Sequence, residues 1–96
     1  MSADEAVEGA LKELQLSVGD IYEDCDYHPC LCVSISTEDD DISGISLIDG
    51  TQPRSCSLIH CGIRKLSVAE AWNIKLNGPT EKEVAENYTP DKRWWK

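Results

Sequence analysis

Residues 28–37 alternate, with Leu31, Val33 and Ile35 on one side and Cys30, Cys32, Ser34 and Ser36 on the other. Successive side chains of an extended strand project to opposite faces, so this period of two calls for a strand that buries one face. Leu31, Val33 and Ile35 are the expected core face. Shorter segments around it carry the same signature. Val18–Asp24 reads as a strand entered through Gly19 and Asp20, with Ile21 and Tyr22 on opposite faces. The acidic turn Glu38–Asp41 deters edge pairing and leads to Ile42–Ile48, where Ile45 and Leu47 share a face and Gly44 is a candidate bulge. Asp49-Gly50 is a hairpin signal. Pro53 confines the next strand, Arg54–Leu58, to an edge or a first position, and a tight turn over 59–62 precedes a last short strand, Ile63–Leu66.

Helical periodicity brackets these strands. Ser2 and Glu5 have capping-box spacing, and Val7, Ala10, Leu11 and Leu14 recur at intervals of three and four, which predicts a helix over about 3–15. Ser67 and Glu70 form a second box. Val68, Ala71, Trp72 and Leu76 follow as an apolar stripe, predicting a helix over about 68–77 that Asn77-Gly78-Pro79 ends. A third box at Thr80 and Glu83 has little apolar material behind it, so that helix should be short. The last residues turn basic and aromatic, and 89–96 is the expected flexible tail. Trp94 and Trp95 either dock back on the domain or stand out as anchors for a partner.

A chain of 96 residues suits one domain, 1–96, with a modest core. Four or five short consecutive strands over about 18–66, with a tight turn before the last, resemble the layout of SH3-like small barrels. The resemblance implies a mainly β, α+β fold built on an antiparallel barrel. A curled open sheet packed on the flanking helices suits the same order of elements. Neither layout implies an activity.

Charge is segregated along the chain. Residues 1–49 hold thirteen Asp or Glu against Lys12 alone, and residues 50–96 hold five acidic against eight basic residues, so the total of −9 divides into −12 and +3. Such a field repels phosphate backbones and anionic lipids, which argues against direct nucleic-acid or membrane binding and favours a protein partner with a basic surface. Asp39, Asp40 and Asp41 are the candidate contacts for it, together with Trp94 and Trp95. The alternative is that the acidic run only keeps a small protein soluble. The acidic opening lacks the features of a secretory signal, and no apolar run approaches the roughly 20 residues of a membrane span, so the cytoplasm is the expected location.

All five cysteines and both histidines lie between Cys25 and Cys61. In a reducing compartment an odd number of cysteines does not read as a disulfide framework. Cys25-x2-His28 and Cys56-x3-His60 have spacings that deliver two ligands from one turn, so a zinc site from Cys25, His28, Cys56 and His60 is chemically available. The competing reading is core packing, because Cys behaves as a small hydrophobe and the chain has no Phe. A thiol enzyme needs a base beside a Cys, for instance Cys32 or Cys56 with His28. The order His60-Cys61-Gly62-Ile63-Arg64 is too short to build a phosphatase loop, and no phosphate loop or nucleophile elbow is present.

These features rank three expectations. First comes a small, non-catalytic protein-interaction module without a cofactor, of which an inhibitor or immunity-type protein masking a basic partner is a special case. A zinc-stabilised domain and a thiol enzyme follow.

Overall fold

The computed structural model describes residues 3–58 and 63–95. In chain order the elements are α1 (Ala3–Leu14), β1 (Ile21–Glu23), β2 (Pro29–Ser36), β3 (Asp41–Ser46), β4 (Arg64–Leu66), α2 (Val68–Asn77), α3 (Lys82–Asn87) and a 3-10 turn at Pro90–Lys92. The four strands form one antiparallel sheet in the order β3-β2-β1-β4. The sheet is open, with β3 and β4 as its end strands, so of the two layouts that suit the sequence the fold has the α+β one with an unclosed sheet. Arg54–Leu58 does not form a regular fifth strand. Its backbone runs along the outer edge of β3, where Arg54 N–H donates to Gly44 and Cys56 exchanges both bonds with Ile42, each at 2.9 Å.

Register decides which residues share a face. Across all four strands, Leu66, Ile21, Leu31 and Ile45 fall in one row, and Lys65, Tyr22, Cys30 and Ser46 in the next. Adjacent rows project to opposite faces, and each face carries its own core. One is built on Leu16, Tyr22, Cys30, Cys32, Ile42, Cys56, Leu58 and Ile63, with Leu11 and Leu14 of α1 and Ile35 packed against it. The other joins Leu66 to Ala71 and Ile74 of α2, with Ile21 and Trp94 alongside.

The expected core face of β2 is corrected by this packing. Cys30 and Cys32 are buried, and Val33 is exposed. The register against β3 slips between Cys32 and Ser34, so that Val33 is the extra residue of a β-bulge. A bulge shifts the alternation by one position. Cys30, Cys32 and Ile35 thereby reach the same core, which strict alternation could not allow. The bulge lies in β2, opposite the Gly44 at which β3 was expected to bulge.

The capping box of α2 forms as its sequence requires. Glu70 N–H donates to Ser67 Oγ at 3.1 Å and Ser67 N–H donates to Glu70 Oε1 at 2.9 Å. Gly78 closes the helix at φ 89°, its N–H donating to Ile74. The Ser2 cap lies outside the described residues. Among the described residues, no helix is long and apolar enough to cross a membrane.

Candidate functional site

The turn between β1 and β2 is organised by one buried carboxylate. Asp24 Oδ1 accepts the backbone N–H groups of Asp26 and His28, each at 3.0 Å, and Oδ2 accepts Arg54 Nε at 2.7 Å and the Cys30 thiol at 3.6 Å. A side-chain oxygen that takes an N–H two residues on is the Asx device that closes such turns. Arg54 spends its other nitrogens on Thr51 Oγ1 at 3.1 Å and Asp26 Oδ2 at 3.3 Å. His28 stands beside this network. Its ring Nδ1 lies 3.2 Å from Ser46 Oγ, and burial, followed by the nearby Arg54 charge, holds its pKa below the ordinary imidazole value.

An open cleft of about 610 Å³ runs between this turn and the C-terminal segment, with Cys25, Tyr27, His28, Arg54, Tyr88 and Lys92 on its walls. Its far wall is fixed by aromatic packing. Trp94 meets His28 edge-on at 4.6 Å and Trp95 at 4.9 Å, and Tyr88 meets them at 5.3 and 5.5 Å. These are the T-shaped geometries that aromatic quadrupoles favour. The Trp94 indole donates to the carbonyl of Ile74 at 2.9 Å, and the Tyr88 hydroxyl donates to the carbonyl of Asp26. Trp94 is thus docked on α2 and Trp95 lies against its Gly78 cap, both half-buried.

The metal-ligand candidates are placed apart in role. Cys25 is exposed on the turn, His28 is half-buried against Trp94, and Cys56 is buried in the α1-side core. Among the described residues, no three His, Cys, Asp or Glu side chains come together as ligands for one ion. Cys25, His28 and Cys56 therefore do not make a three-ligand set by themselves, and His60 lies outside the described residues, as does Cys61.

Among the described residues, neither fully buried thiol, Cys30 or Cys32, is primed for nucleophilic chemistry. Burial, and then the adjacent Asp24 charge, pushes Cys30 up to about 12, and burial raises Cys32 as well. A reactive cysteine needs the opposite shift. At neutral pH, alkylation of Cys30 and Cys32 should proceed only as the sheet opens, so their rates should rise with urea in step with unfolding. Mass-spectrometric site mapping checks this, and labelling of either faster than an exposed model thiol would contradict it.

The acidic turn is built into the loop structure. Asp39 Oδ2 accepts from Ser36 Oγ at 3.2 Å, and Asp41 Oδ2 accepts from Ser43 Oγ at 3.2 Å. Asp40, at φ 49°, accepts from the Ser57 hydroxyl and from Leu58 N–H. Asp39 remains exposed, while Asp40 and Asp41 are partly covered.

A further surface was hidden in the stripe expected to face the core. α2 buries Ala71 and Ile74, whereas Val68, Trp72 and Leu76 are 75%, 61% and 53% exposed. At 100° per residue these five positions spread over about 200° of the helix, twice the width one packed face covers. That excess was the available signal, and Ile74 was the residue needed to see it. Val68, Trp72 and Leu76 stand at i, i+4 and i+8, a ridge of large apolar side chains in solvent. In comparisons with protein families, with curated proteins and with solved structures, nothing matches the chain.

Proposed function

We propose that this chain is a non-catalytic protein-interaction module that docks another protein chain on the α2 ridge. The ridge carries the reading: a tryptophan flanked by two aliphatic side chains, held in solvent on a helix that is capped at its start and packed on its other face. Scattered exposed apolar residues need no explanation, but a contiguous row on a rigid element is the anatomy of a docking site. Tryptophan is the residue most enriched at the energetic centres of such sites. A helix that already presents its side chains in fixed positions loses little entropy on binding.

The electrostatics extend the proposal to a second, basic-surfaced partner. Arg54, Arg64 and Lys65 from the basic half are engaged with Asp24 and Asp26, with Glu23 and Glu70, and with Asp20. The acidic excess accordingly falls on α1 and the Glu38–Asp41 turn. A field of that kind accelerates encounter with a basic protein and weakens in salt. Masking of a basic partner in the cytoplasm, as an inhibitor or immunity-type protein would do, fits this second surface.

A photo-crosslinking residue placed at Leu76 tests the ridge. We expect a discrete protein adduct that disappears in Trp72→Ala, with affinity for the crosslinked chain reduced about 30-fold. Circular dichroism should show the variant folded, because Trp72 is mostly exposed. Absence of an adduct, or an adduct indifferent to Trp72, would overturn the reading.

A further inference from the structure

The C-terminal segment 79–95 lies across the domain as a strap fastened at its far end. It leaves α2 through Gly78, at φ 89°, and the buried Pro79. In its middle, α3 buries none of its residues and has no side-chain cap. The fastening is aromatic. Trp94 donates its indole N–H to the Ile74 carbonyl and sets its ring against His28, and Tyr88 donates to the carbonyl of Asp26. Trp95 lies on Gly78, where an added Cβ would come within 2.5 Å of the indole, so the strap folds back on its own hinge. A segment with little burial, held by contacts at its end, belongs to the low-stability part of a fold and opens without the rest.

His28 sits under this fastening. Its ring is met by Trp94 at 4.6 Å and has Nδ1 3.2 Å from Ser46 Oγ. Around it stand Asp24 and Asp26 from its own turn, Asp49 from the turn after β3, Arg54 from the segment along β3, and Lys92 of the strap on the wall of the same cleft. While the strap is closed, burial of the ring and the Arg54 charge outweigh the three carboxylates, and the neutral imidazole is favoured. Lifting Trp94 away returns the ring to water and relieves the larger of these two effects. The carboxylates then favour the imidazolium. A proton therefore binds the open form better than the closed one, and by linkage it promotes opening.

From this arrangement we infer that residues 79–95 form a proton-released strap: binding of a proton by His28 frees the 88–95 end from the β1–β2 turn while the sheet stays folded. His28 is harder to protonate in the closed form, so closure has its full strength above the open form's pKa, at or above the ordinary imidazole value of about 6.5. It weakens as the pH falls through that value, by up to about tenfold per pH unit for one proton. Release widens the cleft and uncovers Leu66 and Ile74, against which Trp94 packs.

Hydrogen exchange of the Trp94 indole N–H in the full chain tests this, followed by NMR from about pH 8 to about pH 5 and corrected for the intrinsic pH dependence of exchange. Protection should fall by up to about tenfold per pH unit below about pH 6.5. The Cys32 amide, bonded to the Asp20 carbonyl at 2.8 Å, should keep its protection over the same range. His28→Gln should flatten the response at Trp94. Trp94→Ala opens the strap at every pH, and should bring the His28 pKa, read from its ring protons, from its lowered wild-type value up to about 6.5 or above. Constant Trp94 protection in the wild type, or a fall that persists in His28→Gln, overturns the inference. So does protection that rises on acidification, as an imidazolium held on the Trp94 ring would give. Joint loss at Trp94 and Cys32 is global unfolding and overturns it as well. If His28→Gln does not fold, an unchanged His28 pKa in Trp94→Ala is sufficient to reject the strap.

Discussion

Replacing Arg54 by alanine should cost about 3 kcal/mol of unfolding free energy, because it strands a buried carboxylate. Asp24 is 4% exposed and accepts four hydrogen bonds, the shortest of them from Arg54 Nε at 2.7 Å. The ion pair itself is no guarantee of stability, since removing two charges from water offsets much of their attraction. Removing one member leaves the desolvation of the other uncompensated, and that asymmetry sets the size of the effect. Two backbone donors remain on Oδ1 and the Arg54 side chain is 18% exposed, which keeps the loss toward the lower end of the range for buried pairs. Equilibrium urea unfolding at pH 7 measures it.

The same residue ties three segments together. Its guanidinium joins the β1–β2 turn to Thr51 at the start of the segment along β3, and its backbone carbonyl accepts the Tyr22 hydroxyl at 3.0 Å. Arg54→Ala should therefore loosen the His28 wall of the cleft as well as lower stability. The companion variant Asp24→Asn removes the charge that Arg54 neutralises. The double variant should be less destabilised than the sum of the singles by on the order of 1–3 kcal/mol, as coupled neighbours are. Strict additivity would mean that the two side chains do not depend on each other.

Most local signals in the sequence translated, although α3 starts after Glu81 with no side-chain cap bond and not on the Thr80 box, and the failures of facing share one physical cause. The Ser67–Glu70 box, the Gly78 stop and the alternation that placed a strand at Pro29–Ser36 depend on neighbours within a few residues, and each is present. Facing directions depend on distant partners. The bulge at Val33 exists only in the pairing of β2 with β3, and it shifts the alternation beyond it so that Ile35 reaches the same core as Cys30 and Cys32. The Asp24–Arg54 pair joins residues thirty apart, with no periodicity to announce it. α2 was legible as a helix but not in orientation, because five apolar positions give two apolar faces. The β4 and tail contacts chose Ala71 and Ile74. The clustering of Cys and His is partly a consequence of topology, since β2 and the segment at Cys56 flank the same strand, β3.

Glycine 44 provides the second large effect, and here the sign itself is diagnostic. In an ordinary strand interior, alanine is favoured over glycine by roughly 0.5–1 kcal/mol, because glycine loses more conformational freedom on folding. At Gly44 an added Cβ would lie 2.5 Å from the Tyr22 hydroxyl oxygen and 2.6 Å from the carbonyl oxygen of Leu31, distances that no rotamer change of the new methyl can relieve. The Tyr22 ring is fully buried and its hydroxyl is anchored to Arg54, so it has nowhere to go. Overpacking of this kind costs about 2–3 kcal/mol, enough to outweigh the propensity gain. Tyr22→Phe separates the two contacts. Alone it should cost about 1 kcal/mol for the lost hydrogen bond. Combined with Gly44→Ala it should recover part of the alanine penalty, because the hydroxyl oxygen is gone while the Leu31 carbonyl remains. Urea unfolding of the four proteins gives the cycle. A neutral or stabilising Gly44→Ala would mean that Tyr22 does not cross β3 at this point, and that the core on the α1 side is packed differently around the bulge.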